Sequence, residues 1–355
     1  MSPSSFSNVT DQVVEVLRDG MLGGRWRGTL PGRDQLAGEL GVSHTTMEAA
    51  MRRLAKEGML VSQGTGKRRR IVLPEGDFQP RHFRVRFLAY ESVDRTAPHV
   101  IDLLDRLNRN GFTPKLAAKT LLDLKMDAKR VARFVQSVPA DAWIVAAGSR
   151  EVLQWFCDQP VPAYAYFGVK SGLPIAGCAV TKDIQPVIRS LVQLGHQRII
   201  LLDRQDHADS GPSLLGQTFL DILQSEGIKP SSYHLPVWGY HPAGLHSCLE
   251  SYFKTTPPTA LISEESAILL AVRDHLARRN IIAPRDVSLV CLDQDPSFNW
   301  CDPLVAHFTW DFAPIIRRVV SWAKNVARGK NDCRQTATMA KFVEGGTIGP
   351  VPKWR

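Results

Sequence analysis

Apolar positions over the first seventy residues recur at helical spacing in short bursts, punctuated by Gly and Pro. Val9, Val13, Val16 and Leu17 share one helical face, and Gly20 is placed to close that helix. A second short helix fits 33–40. Gly41 then supplies a tight turn, and Ser43 is a good N-cap for a third helix running to about residue 57. Met47, Ala50, Met51 and Leu54 form the apolar stripe of that third helix, which leaves His44, Thr45, Glu48 and Arg52 on or near the opposite side. A short apolar strand over 59–62 follows, then a tip of Gly64, Thr65 and Gly66, then a basic strand over 67–72. Helix, turn, helix and β-ribbon in this order is the layout of a winged helix-turn-helix.

The rhythm changes after residue 72. Pro74, Gly76 and Pro80 mark 73–82 as a short, partly stiffened linker. From 83 to 355, β-like runs at 83–90, 115–120, 142–147, 162–167, 198–203, 259–263 and 287–292 alternate with helical stretches. Those stretches lie near 97–110, 127–137, 149–158, 183–195, 213–226, 242–254, 265–280 and 312–328. Apolar strands alternating with helices predict an α/β fold with parallel sheets covered on both faces. So long a segment exceeds one comfortable core, so two lobes with a cleft between them are expected. The predicted organisation is therefore 1–72 winged helix, 73–82 linker and 83–355 two-lobed α/β domain. Ligands of such sheets sit beyond the carboxyl ends of the strands.

Charge sharpens the first segment. The 355 residues carry 44 Lys and Arg against 35 Asp and Glu, a formal charge of +9. Residues 21–72 hold ten basic side chains and four acidic ones, whereas 83–355 hold 32 and 26, the same excess over more than five times the length. A concentrated positive field on a helix-turn-helix points to a polyanion, with double-stranded DNA the expected partner. The N-terminal residues of a groove-bound helix reach base edges, and its free N–H groups favour phosphate. No apolar run is long enough for a transmembrane helix, and the first ten residues show no secretory pattern, so a cytoplasmic location is expected. The cysteines at 157, 178, 248, 291, 301 and 333 form no C-x-x-C pair and read as reduced thiols. No phosphate-binding loop, dinucleotide fingerprint or nucleophile elbow is present, and the histidines lack metal-ligand spacing. Neither catalysis nor a metal or cofactor is expected.

The stretch LPGRDQLAGELGVSHTTMEAAMRRLAKEGMLVSQGTG resembles the DNA-binding domain of the GntR family of bacterial transcription regulators. Leu30-Pro31, Leu36-Ala37, Leu40-Gly41-Val42-Ser43, Thr46, Leu54 and Glu57-Gly58 carry the likeness. It implies DNA contacts at Arg33, Ser43, His44, Thr45, Thr46 and Glu48, and at Lys67, Arg68 and Arg70 of the wing. Three departures stand out: Asp34 where the family often has an Arg, His44 in place of Arg at the opening of the recognition helix, and Glu48 in place of a later Arg. A carboxylate there repels phosphate but accepts from cytosine N4, so the operator is expected to differ from the family's best-known ones.

Residues 85–350 resemble the effector domain of LacI-type repressors, which shares the fold of periplasmic sugar-binding proteins. LVQLGHQRIILLD (191–203) and PPTALISEESAILLAVRDHLARRNIIAPRDVSLVCLDQ (257–294) carry this likeness, with a weaker match over 303–346. It implies a sugar or sugar derivative as effector. Asp293 falls where an Asp often holds sugar hydroxyls, Glu264 ends another strand, and Glu91, Ser92 and Arg95 lie in the first βα loop. Tyr240, or Trp238 if the register slips, falls near a position where an aromatic stacks on the sugar. Ser213 stands where the family commonly has a ligand-clamping Arg, which puts a standard sugar pose in doubt.

The combined expectation is a homodimeric transcription regulator, a repressor, that binds operator DNA and is controlled by a small-molecule effector in the interlobe cleft. Three alternatives stay open. An α/β enzyme tethered to a DNA-binding module would need greater length and a cofactor Lys in its own motif. A periplasmic-type binding protein would lack the winged helix. A regulator whose effector domain answers to a protein leaves no mark in sequence.

Overall fold

The computed structural model describes residues 9–22, 25–26, 28–64, 66–72, 83–168, 172–204 and 211–353. The expected linker, 73–82, and Thr65 of the wing tip lie outside the described residues. The chain divides into two compact units, one of 1–179 with 311–337, the other of 180–310 with 338–355.

Within the first unit, residues up to 72 build a core of their own. Helices α1 (Val9–Leu22), α2 (Arg33–Leu40) and α3 (His44–Lys56) bury Val13, Leu17, Leu36, Met47, Met51 and Leu54 against one another. Gly20 does not end α1, which runs two residues further. A Cβ at Gly20 would lie 2.4 Å from the Trp26 indole, so the glycine makes room for that ring. Gly41 does cap α2 in the left-handed conformation, φ +65°, as the turn requires. The wing strands are much shorter than the sequence predicts: β1 (Leu60–Val61) pairs antiparallel with β2 (Arg70–Ile71). A bridge from Thr29 to Arg70 adds a third rung.

The remainder of this unit carries a sheet in the order β12-β7-β6-β5-β3-β4, formed by β3 (Arg84–Leu88), β4 (Thr113–Leu116), β5 (Ala142–Ala146), β6 (Ala163–Tyr166), β7 (Ala176–Thr181) and β12 (Gln335–Met339). Strands β3 to β7 are parallel to their neighbours, and β5 is buried along its whole length, as expected of a sheet covered on both faces. Helices α4 (Pro98–Arg109), α5 (Ala128–Ser137), α6 (Arg150–Cys157) and α11 (Phe312–Ala327) belong to the same unit. Strand β4 begins two residues earlier than its apolar run suggests and includes Pro114, which an edge strand tolerates.

The second unit has the sheet order β13-β11-β10-β9-β8. Strands β8 (Ile199–Leu202), β9 (Ala260–Ser263) and β10 (Ser288–Cys291) are wholly buried and parallel. Parallel β11 (Ala306–Thr309) and antiparallel β13 (Lys341–Val343) complete the sheet. Helices α7 (Gln185–Gln193), α8 (Leu214–Ser225), α9 (Pro242–Thr255) and α10 (Ser266–Ala277) also belong here. Strands β7, β11, β12 and β13 were not among the expected ones. Their sequences, AGCAVT, AHFT, QTATM and KFV, are small, polar or short, and only their sheet partners make them strands. The register aligns Leu202 with Ser263 and Ser263 with Cys291, so three strands end together.

Candidate nucleic-acid interface and ligand site

The N-terminus of α3 is capped as predicted. Ser43 Oγ accepts from the Thr46 amide at 3.1 Å, and Thr46 Oγ1 lies 2.8 Å from the same oxygen. His44 and Thr45 are exposed beyond this cap. Asp34, a departure from the family pattern, joins two of the expected contact residues. One of its oxygens accepts from Arg33 Nε at 2.9 Å and lies 2.8 Å from His44 Nδ1. The Arg33 hydrogen bond, and next to it the positive charges of Arg33 and His44, holds the Asp34 carboxyl below its ordinary range against the opposing effect of desolvation.

Glu48 does not face outward as a free carboxylate. Arg69 Nη2 lies 2.5 Å from Glu48 Oε1, an ion pair between α3 and the wing. The four consecutive basic residues 67–70 therefore split three to one: Lys67, Arg68 and Arg70 are exposed, and Arg69 is turned in. Simple alternation fails because only 70–71 is strand. Some basic side chains of the winged helix are already paired with carboxylates. Arg18 pairs with Glu57, Arg25 with Glu39 and Arg53 with Asp11, whereas Arg52, Lys56, Lys67, Arg68 and Arg70 have no ion partner among the described residues.

In the second unit, the carboxyl ends of β8, β9 and β10 present Asp203, Glu264 and Asp293 in neighbouring positions. Asp203, missing from the sequence-based candidates, is the most buried of them at 1% exposure. Its Oδ2 accepts from Ser213 Oγ at 2.5 Å, and the same hydroxyl accepts from the Gly216 amide at 2.9 Å as the N-cap of α8. Gly216 permits this approach, because a Cβ there would lie 2.9 Å from Asp203 Oδ2. Glu264 Oε2 accepts from the Arg204 amide at 2.8 Å, while burial, and next the neighbouring Asp203 carboxyl, push its own carboxyl up to about 7. Asp293 is also raised, chiefly by burial, although its Oδ1 accepts from the Gln294 amide at 2.8 Å.

Tyr240 is not a bare platform. The Arg204 guanidinium lies 4.2 Å from its ring centroid, and its hydroxyl donates to Glu265 at 2.5 Å, while Arg204 also pairs with Glu265 at 3.1 Å. Trp238 packs 5.4 Å from Tyr240 and donates its indole N–H to the Asp203 carbonyl at 3.2 Å. Lys182 lies over the Trp310 ring at 5.1 Å.

In the first unit, Glu91, Ser92 and Arg95 sit in the loop after β3. Arg95 Nη2 donates to the Ala117 and Ala118 carbonyls at 3.0 and 2.8 Å, so it ties one loop to the next. Sequence reading missed an aromatic group near the ends of β5 and β6. His99 stacks on Phe312 at 4.2 Å and lies 6.0 Å from Phe167, and burial lowers its pKa to about 4, which keeps it neutral. Ala147 and Phe167, each just past a strand, hold positive φ values of 48° and 57°, a strain that concentrates at functional loops. Nothing in the periodicity of the sequence signals this. Among the described residues no three His, Cys, Asp or Glu converge as a metal site, and no helix is long and apolar enough to cross a membrane.

Comparison with known proteins agrees with this geometry. Residues 9–67 match the model of bacterial regulatory proteins of the gntR family, and residues 188–348 match that of the periplasmic binding protein-like domain. No curated protein matches the chain. Among solved structures, the transcriptional regulator CelR in complex with cellobiose has a TM-score of 0.59 at 14% identity, covering 90% of this chain and 100% of its own. A LacI family transcriptional regulator from Enterococcus faecium with bound ribose also has a TM-score of 0.59 at 14% identity, covering 75% and 99%. A LacI transcriptional regulator from a Rhodococcus species has a TM-score of 0.56 at 22% identity, covering 76% and 99%. At these identities the likeness is one of fold.

Proposed function

We propose that this chain, in which a gntR-family DNA-binding domain is joined to a periplasmic binding protein-like domain, is a transcription regulator that switches on binding a sugar or sugar derivative. The observation that carries this reading is the presence of both domains in one chain, with exposed His44 and Thr45 at the start of α3 and exposed Lys67, Arg68 and Arg70 on the wing. Residues 1–72 read the operator, 73–82 link, and 83–355 take the effector, with Asp203, Glu264 and Asp293 as its polar contacts. The ribose- and cellobiose-bound regulators of similar fold support a carbohydrate effector. The regulator acts in the cytoplasm as a homodimeric repressor, without catalysis. One winged helix covers little DNA, and paired half-sites multiply specificity. Effector and operator are coupled only if the effector favours one arrangement of the dimer over the other.

Selection of a random-sequence duplex library on the purified protein tests the DNA half. An enriched inverted repeat is expected, and enrichment of no sequence would falsify operator recognition. A thermal-shift screen against monosaccharides tests the effector half. A ligand at a hundred times its Kd adds about 2.7 kcal/mol, enough for a shift of a few degrees.

A further inference from the structure

The polar end of the β8–β9–β10 sheet is strongly acidic. Asp203, Glu264 and Asp293 occupy it, and Asp295 follows close behind. The charges of Asp295 and Glu264 both act on Asp293. The positive charge of Lys182 acts on both Glu264 and Asp293. Arg204 is engaged with Glu265 and Tyr240. Asp203 adds a second, separate feature. It is 1% exposed, Ser213 satisfies one of its oxygens, and Oδ1 has no hydrogen-bond donor among the described residues. A buried carboxylate oxygen without a donor is costly. Beside it, one strand over, is Glu264, itself an acceptor from the Arg204 amide.

A neutral sugar hydroxyl brings one O–H and no charge. A protonated amine brings three N–H donors and a positive charge, and charge-assisted bonds to carboxylates are about twice as strong as neutral ones. We infer that this site, taken as the effector site proposed above, is built for a ligand with a protonated amine, an amino sugar or an aminated polyol, whose ammonium lodges between Asp203 and Glu264. Without such a ligand, burial keeps the Glu264 carboxyl largely protonated. When the ammonium enters, that proton leaves for solvent and Glu264 is ionised against the new cation. The elevated Glu264 carboxyl, at about 7, puts this exchange near neutral pH. An anionic sugar meets four carboxyl groups and is repelled.

Calorimetry on the full chain at pH 7 tests the inference with three matched arms: glucosamine, galactosamine and mannosamine; their parent hexoses; and the hexose 6-phosphates. Titration in two buffers of different ionisation enthalpy counts released protons. One amino sugar is expected to bind at least ten-fold more tightly than its parent hexose and to release a fraction of a proton. Asp203→Asn and Glu264→Gln should each remove that preference. Should Asp203→Asn fail to fold, Glu264→Gln and the N-acetylated sugar, which lacks the charge, make the same comparison. A parent hexose or a phosphate binding as tightly as the amine overturns the inference and leaves the carbohydrate-effector reading standing. Silence in all three arms overturns both.

Discussion

Arg69 of the wing and Glu48 of α3 form an ion pair, 2.5 Å from Nη2 to Oε1, with both side chains about a quarter exposed. The pair links the two elements expected to meet DNA. It also explains how a carboxylate is tolerated on a surface meant for phosphate, since its charge is cancelled before DNA arrives. Glu48→Ala frees Arg69. Binding to a random duplex should then tighten, and the slope of log K against log salt should steepen by about 0.9, one added phosphate contact. Fluorescence anisotropy between 50 and 200 mM salt measures both, and an unchanged slope would show that Arg69 stays turned in.

Arg68 and Arg70 lack ion partners among the described residues and are exposed. Replacing each with Ala should weaken binding evenly across sequences and lower the salt slope by about 0.9 per residue. A slope unaltered in the double variant would remove the wing from the interface.

Gly216 tests the packing around Asp203. An Ala at this helical position gains about 0.8–1 kcal/mol of helix propensity. Its Cβ would stand 2.8 Å from Leu235 and 2.9 Å from Asp203 Oδ2, which Ser213 holds in place. Overpacking of this kind costs about 1–3 kcal/mol, so Gly216→Ala should lower stability in chemical denaturation. A more stable variant would mean that Asp203 moves freely.

Glu264 gives stability a pH dependence of known sign. Its ordinary value is 4.5, and in the fold burial and then the neighbouring Asp203 carboxyl raise it to about 7. Between those values the folded chain binds more protons than the unfolded one. This contribution is complete below about pH 4.5 and is lost as pH rises through 7, with a slope of at most about 1.4 kcal/mol per pH unit. Unfolding by urea from pH 5 to 8 should show Glu264→Gln lacking that decline. Parallel curves would mean that the carboxyl is ionised throughout.

Much of this protein was legible in sequence. The third helix, its Ser43 cap and its Met47, Ala50, Met51 and Leu54 stripe follow from local periodicity, and so do largely apolar strands such as IILL and ALIS. Asp293 and Glu264 stood out because the resemblance to LacI-type effector domains places ligand contacts there, whereas Asp203, which equally follows a strand, carries no such likeness. Gly20 was misread because a glycine near a helix end signals a stop, whereas its role depends on Trp26, which meets it only in the fold.

Local sequence set the helices, the central strands, the concentration of charge and the two domain likenesses, because hydrophobic period and capping act between near neighbours. Tertiary structure decided which charges remain free and which are paired. It tied Asp34 to His44, turned Arg69 onto Glu48, and brought Ser213, Asp203 and Glu264 together across more than sixty residues of chain. It also made strands of AHFT and QTATM. The reason is physical: a charge or a hydrogen bond takes its meaning from whatever lies within a few ångströms, and for these residues that neighbour is supplied by the fold and not by the adjoining sequence.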